Sequence, residues 1–220
     1  MRDGEKHGVD CYDGRVSRRS FSPSSLNTVF LDRDGVLNRK LPEGEYVTAW
    51  EHFDLLPGAA EAIVKLKQAG MRVLVISNQR GIALGLYRAE DVDRIHAQLQ
   101  KELETHGTQI DGFYFCPHDK EACNCRKPLP GLFQQAQAQF PDIQPETSVM
   151  IGDSLSDIEF GRNLDMTTIF IEGDTNVREN RKPGAQKAAE IADLRFDTLI
   201  DAVDDLLGTA EKAASAPIQS

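Results

Sequence analysis

Short apolar runs alternate along this chain with stretches whose apolar residues recur every three or four positions. Residues 27–32 (NTVFLD), 71–77 (MRVLVIS), 110–116 (IDGFYFC), 147–153 (TSVMIGD) and 166–173 (MTTIFIEG) are runs of strand length, and their continuous apolar character predicts strands buried on both faces. Between the first two, residues 57–70 (PGAAEAIVKLKQAG) place Ala59, Ile63, Leu66 and Ala69 on one stripe, with Pro57 at the start and Gly70 at the stop. Residues 88–107 (RAEDVDRIHAQLQKELETHG) set Val92, Ile95, Leu99 and Leu103 at helical spacing, and residues 130–140 (PGLFQQAQAQF) read as a further helix. Strand and helix in alternation predict an α/β fold: a three-layer, doubly wound, mainly parallel sheet of the Rossmann-like kind, with ligands at the carboxyl ends of the strands.

The two ends break this rhythm. Residues 1–25 are rich in Gly, Asp, Arg and Ser and predict a flexible leader, residues 26–208 a single domain, and residues 209–220 a flexible tail. Ser17-Arg18-Arg19-Ser20-Phe21 has the look of a twin-arginine export signal, but no apolar stretch follows it. With no run near the roughly 20 apolar residues of a membrane span, the expectation is a cytoplasmic protein that spans no membrane. A formal charge of −10 argues against nucleic acid as a partner, because phosphate-backbone binding needs clustered Lys and Arg. A monomer is expected.

Three strand ends carry groups suited to phosphate chemistry. The first closes on Asp32 and Asp34, two apart, so that an extended backbone would send both carboxylates to one side, and Gly35 then permits a sharp turn. The second closes on Ser77 and Asn78, and the fourth on Asp153, with Asp157 a helical turn beyond. An Asp at a strand end often does no more than cap the next helix. Four such groups in order, each after an apolar run, are better explained by a cation among them, and Mg²⁺ takes one or two carboxylates and shares phosphate oxygens.

The stretches FLDRDGVLN, ISNQRGIALG, CRKPLPG and IGDSLSD resemble, in order, the four motifs of the haloacid dehalogenase superfamily of aspartyl-phosphate phosphatases, over residues 27–172. DRDGVLN together with NQRGIALG and the Cys/His stretch before CRKP is similar to the branch of the histidinol-phosphate and heptose-bisphosphate phosphatases, the latter being the nearer likeness. The resemblance implies a nucleophile at Asp32, a general acid and base at Asp34, and Lys127 offsetting charge on nucleophile and phosphate. It implies Mg²⁺ held by Asp32, by the backbone carbonyl of Asp34 and by Asp153, phosphoryl oxygens held at Ser77 with Asn78 beside it, and Arg126 reaching the distal part of the substrate. Arg80, where the family commonly has a small residue, adds a further substrate-binding cation.

Too few residues separate these motifs for a cap domain, so selectivity falls to loops 39–56, 79–88 and 116–127. A sugar bisphosphate such as heptose 1,7-bisphosphate, losing its 7-phosphate, is the expected substrate. The short Cys/His loop keeps histidinol phosphate as an alternative, and a zinc-dependent binding module without catalysis or a phosphotransferase using Asp32 are the readings from other classes.

Of four cysteines and five histidines, three and one fall in Cys116-x-His118-x₄-Cys123-x-Cys125. Three thiolates and an imidazole are the ligand set of a closed structural zinc site, and a Cys-x-Cys pair is poorly placed for a disulfide. Zinc there would fix a loop that must present Arg126 and Lys127, with Pro128 and Pro130 stiffening its exit. Cys11 reads as a free thiol, and His7, His52, His96 and His106 as surface or helix-face residues. Trp50 and Phe53 read equally as core or as lining of a substrate loop.

Overall fold

The computed structural model describes residues 26–173 and 183–208, so the expected leader with His7 and Cys11, and the expected tail, lie outside the described residues. Six strands form one sheet: β1 (Thr28–Leu31), β2 (Arg72–Asn78), β3 (Gly112–Cys116), β4 (Ser148–Gly152), β5 (Thr167–Ile171) and β6 (Leu194–Phe196). Their order is β3-β2-β1-β4-β5-β6 and every pairing is parallel. The helices are α1 (Ala59–Gln68), α2 (Ala89–Thr105), α3 (Gly131–Gln139), α4 (Leu155–Asn163), α5 (Pro183–Ile191) and α6 (Leu199–Leu206). The expected doubly wound α/β sheet is present, and no cap domain interrupts it among the described residues.

The continuous apolar runs have the reason the pattern implied. On β1, Val29 and Leu31 face a core shared with α1, α2 and α6, where Ile63, Leu66, Ile95, Leu99, Val203 and Leu206 meet them. Phe30 faces the other way, into a core with Leu74, Ile76 and Met150 closed by Leu132 and Phe133 of α3 and Phe160 of α4. A strand covered on both sides has room for few polar residues, and on β1 and β4 these are Thr28 and Ser148 at the strand starts. Strand β6, which the sequence reading missed, is three residues long at the sheet edge with alternate partial exposure, so it carries no apolar run to find. Helix α5 packs Ala188 and Ala189 on Ile158 and Phe170.

Strand order reverses at β1. The chain builds outward through β2 and β3, then returns to place β4 on the other side of β1, which leaves a crevice where the carboxyl ends of β1 and β4 diverge. Register fixes what faces it: Leu31 pairs with Val75 and with Ile151, and the Asp32 amide donates to the Ile151 carbonyl at 2.9 Å. Asp32, Ser77 and Asp153 are therefore brought to one edge by pairing alone.

Gly35 makes the turn out of β1. Its φ of 99° is open to glycine and strained for other residues, and a Cβ there would lie 2.2 Å from the Asp153 carboxylate oxygen Oδ2. Backbone strain and collision act together, so Gly35→Ala is expected to cost about 2–4 kcal/mol of unfolding free energy in urea denaturation. A variant as stable as the parent would show that this turn does not press on Asp153.

Candidate active site

A buried ammonium holds the centre together. Lys127, which is 3% exposed, donates from Nζ to Asp32 Oδ1 at 2.8 Å and to the Ile76 carbonyl at 2.8 Å, and lies 2.7 Å from Asp157 Oδ1. Two of its protons go to Asp32 and the Ile76 carbonyl, and its contact with Asp157 is an ion pair. Burial works against its charge, but Asp157 and Asp32 outweigh it and hold the lysine protonated above its usual range. Asp157 is fixed from its other oxygen, which accepts from the Ser154 amide at 3.0 Å and the Ser154 hydroxyl at 2.6 Å in the capping box of α4.

One lysine does not neutralise three acids. Asp32, Asp153 and Asp157 each bring a carboxylate oxygen within 4.8 Å of the others. Burial first, then Asp157 and Asp153, push the Asp32 carboxyl up to about 7 against the pull of Lys127. Asp153 is also raised, by burial and Asp157, although the Lys40 ammonium lies 2.6 and 2.9 Å from its two oxygens. Crowded carboxylates that hold protons this tightly are a donor set for a hard divalent cation.

Asp34 sits in a different environment. Its Oδ1 accepts from the Asn38 amide at 3.0 Å and from Arg33 at 2.9 Å, and its Oδ2 accepts from Arg33 at 2.9 Å and the Gln79 amide at 3.1 Å. Burial alone would raise this carboxyl, yet Arg33 and the amide donors bring it below the usual range. The near neighbours of Asp34 are donors, and Arg33 is itself 1% exposed.

Ser77 is buried and receives the Gln79 amide at 2.6 Å. Asn78 spans to the strand's partner loop, donating from Nδ2 to the Lys127 carbonyl at 3.1 Å and accepting the Lys127 amide at 3.0 Å. Its side chain thus fixes the backbone that carries the central lysine. Asp32, Asp34, Lys40, Ser77, Arg126 and Lys127 line a cleft of about 270 Å³, and Asn78 joins them. Arg80 does not line it: its guanidinium donates to Asp119 at 2.6 Å, tying the loop after β2 to the Cys/His loop.

The four Cys/His residues converge. Cys116, Cys123 and Cys125 place their sulfurs 3.3 to 3.5 Å apart, with His118 Nδ1 at 3.7 Å from Cys116 and 3.3 Å from Cys125. These are the edges of a small tetrahedron, close to the roughly 3.5–3.8 Å expected between ligands about 2.0–2.3 Å from a zinc ion, and too long for a disulfide. Burial and the neighbouring thiols push Cys125 up to about 12, while hydrogen bonds from Cys125, the Arg126 amide and Cys116 overcome burial to bring Cys123 to about 7. One proton leaves readily and the rest await a cation, so the donor set fits the metal.

Several residues at the site escaped sequence reasoning. Lys40 comes from a loop without periodicity, and Gln79 follows Ser77-Asn78 with nothing to mark it. Asp157 was visible one turn past Asp153, but its pairing with Lys127 depends on two segments meeting. His96, read as a surface or helix-face group, is buried and stacked on Phe113 with centroids 4.5 Å apart, and burial takes it down to about 3. Trp50 and Phe53 stack on each other at 4.9 Å against the core and do not line the cleft.

Comparison with known proteins bears on this geometry. Residues 124–199 match a family model described as HAD-hydrolase-like. The chain is 41% identical over 172 residues to the D-glycero-alpha-D-manno-heptose-1,7-bisphosphate 7-phosphatase of Mycobacterium tuberculosis, covering 78% of this chain and 86% of that one. It is 34% identical over 175 residues to the D-glycero-beta-D-manno-heptose-1,7-bisphosphate 7-phosphatase of Pasteurella multocida, covering 76% and 93%. The solved D,D-heptose 1,7-bisphosphate phosphatase from B. bronchiseptica, complexed with magnesium and phosphate, superposes with a TM-score of 0.71 at 27% identity, covering 83% of this chain and 99% of the other.

The crowding at Asp32 has a signature in stability. Its carboxyl keeps a proton up to about pH 7 in the folded chain, but only to its ordinary value of 3.8 when unfolded. Folding therefore loses stability as pH rises from 3.8 to 7, and the full penalty persists above that. In chelator-treated protein, Asp32→Asn is expected to match the parent near pH 4 and to exceed it by about 2 kcal/mol at pH 8, the lost contact with Lys127 taking back part of the gain. Urea denaturation at both pH values reads this out, and a variant less stable at pH 8 would contradict it.

Proposed function

The chain belongs to the haloacid-dehalogenase-like hydrolases, in the branch of the heptose-1,7-bisphosphate 7-phosphatases, and from that premise we propose that it removes the 7-phosphate of a D-glycero-D-manno-heptose 1,7-bisphosphate through an aspartyl-phosphate on Asp32. The enzyme is a phosphatase. The observation that carries the residue assignment is the buried contact of Lys127 with one oxygen of Asp32, which holds the carboxylate at the cleft and leaves its other oxygen to attack phosphorus.

In the first step the Asp32 oxygen bonds to phosphorus as the bond from phosphorus to the sugar oxygen breaks, and that oxygen takes a proton from Asp34. In the second, water gives its proton to Asp34 and attacks phosphorus, the bond to Asp32 breaks, and phosphate leaves. Asp34 must first gain the proton that its three donors discourage. A phosphate dianion set beside it pushes in that direction, because nearby negative charge favours the neutral carboxyl.

Ser77 and Asn78 contribute donors at the phosphoryl end, Lys127 offsets charge on the nucleophile, and Arg126 at the rim meets the distal part of the substrate. Asp32, Asp153 and the backbone carbonyl of Asp34 would hold Mg²⁺, with Asp157 adjoining the same set. Bound there, the ion would offset the charge of the acids and of the phosphoryl oxygens. Zn²⁺ at Cys116, His118, Cys123 and Cys125 would be structural, fixing the loop that leads to Arg126 and Lys127. A binding module without catalysis gives no reason to bury Lys127 between two acids.

We place the enzyme in the cytoplasm. Reduced thiols belong there, and Cys116, Cys123 and Cys125 are free. No described helix is long and apolar enough to cross a membrane. The α anomer is the favoured substrate, following the relative at 41% identity.

Phosphate release from the α and β heptose 1,7-bisphosphates, fructose 1,6-bisphosphate and histidinol phosphate should be fastest with the α heptose, and Asp32→Asn should fall by about 10³-fold or more. Faster turnover of histidinol phosphate, or an active Asp32→Asn, would overturn the assignment. The protein as purified should carry one zinc by elemental analysis. Cys125→Ser should lose that metal and about 2–4 kcal/mol of stability by urea denaturation, and full stability without metal would remove the structural role.

A further inference from the structure

We infer that Gln79 and Tyr87 are positioning residues, a phenol and a carboxamide in series that set the direction of the hydrogen bonds at Asp34 and Ser77. The inference rests on the reading of Asp34 as general acid. Tyr87 Oη donates to Gln79 Oε1 at 2.7 Å, and Gln79 Nε2 donates to Ser77 Oγ at 2.6 Å and to Asp34 Oδ2 at 3.1 Å. A carboxamide can be turned end for end at little cost unless its partners decide the matter. Here they do. The Asp34 carboxylate, paired with Arg33, only accepts and so takes the Nε2 end, while the phenol, 6% exposed, donates to Oε1. Both amide protons then face the two catalytic groups.

Two consequences follow for the chemistry. The Ser77 oxygen accepts from Gln79, so its own proton is turned away from Gln79 and is available to a phosphoryl oxygen. Asp34 is held from the Gln79 side at Oδ2, and Arg33 and Asn38 hold Oδ1, so the carboxyl plane is fixed before a substrate's leaving oxygen reaches it. Gln79 is 2% exposed and cannot readily exchange these partners for water. The sequence around Tyr87 is shaped to let the phenol in. A Cβ at Gly81 would lie 2.1 Å from its ring carbon Cε1 and 2.9 Å from its hydroxyl, so the ring packs against bare backbone. On its other side the ring meets Tyr46, with centroids 5.9 Å apart, so the same phenol joins the loops at 39–56 and 79–88 to the acid.

Leaving-group dependence tests this, because p-nitrophenolate departs with little help from a proton and an alkoxide does not. For Tyr87→Phe and Gln79→Leu, kcat/KM with an alkyl phosphate such as glycerol 3-phosphate should fall about tenfold or more, and with p-nitrophenyl phosphate by less than about threefold. The Ser77 contact is common to both substrates, so their ratio isolates Asp34. Tyr87→Phe keeps the ring against Gly81, and its melting temperature should stay within a few degrees of the parent. Asp34→Asn is the reference and should show the selective loss at its largest. If Asp34→Asn shows that selectivity while Tyr87→Phe and Gln79→Leu lose both activities equally, or lose neither, the positioning role is wrong. If Asp34→Asn itself spares the alkyl phosphate, the acid assignment falls and this inference with it.

Discussion

The Lys127 ammonium, enclosed between Asp32 and Asp157 at the end of a parallel sheet, is the contact on which the site depends. Removing charges from water is costly, and such groups persist only where geometry and further hydrogen bonds compensate. Here the lysine also donates to the Ile76 carbonyl, and Asp157 is held again by the cap of α4. The arrangement joins three segments distant in sequence: the end of β1, the approach to α3 and the first turn of α4. A hydrophobic replacement would fold as well or better. What it would lose, on the proposed role of Asp32, is a nucleophile set beside a fixed positive charge in a cleft of low dielectric, where charge is worth most to a phosphoryl transition state.

That lysine does not come from the sheet, whose central strands β1 and β4 are buried along their whole length. It comes from a loop with few apolar residues to anchor it, and two devices hold that loop. Asn78 clasps the Lys127 backbone from the end of β2 through a donor and an acceptor. The Cys/His tetrahedron closes the loop on itself, and Arg80 with Asp119 adds an outer link. Arg80, expected as a substrate-binding cation, is thereby tied to the loop that carries Arg126 and Lys127.

Fold and site were legible to different depths. Apolar runs at strand length identified five of the six strands among the described residues, because burial on both faces leaves a continuous signal and the edge strand β6 leaves none. Asp32, Ser77 and Asp153 could be found because strand register alone brings them together. The Cys/His cluster was local enough to read directly. Lys40, Gln79 and the pairing of Asp157 with Lys127 were not legible, since each acquires its role from a partner distant in the chain, and single-sequence patterning carries no information about such meetings. Asp34 shows the same limit. Its position was readable, but its charge state was not, because Arg33, Asn38 and Gln79 decide it together.

A chain of net charge −10 can still draw in an anion, since potential at a cleft is set by what lies within a Debye length, about 8 Å at physiological salt, and not by the total. Lys40, Arg33, Arg126 and Lys127 all border the crevice. Lys127 and Arg33 are committed to Asp32, Asp157 and Asp34, which leaves them to lower the cost of assembling the acids more than to attract. A divalent cation held among Asp32, Asp153 and Asp157 would offset the remaining acidic excess and so lower the repulsion that opposes a phosphate. The upward shifts of Asp32 and Asp153 and the low position of Asp34 are two sides of that division: one group of carboxylates is crowded and so suits a metal, while the carboxylate two residues on is supplied with donors and, in the proposed role, would take up a proton once the negative charge of the substrate lies beside it.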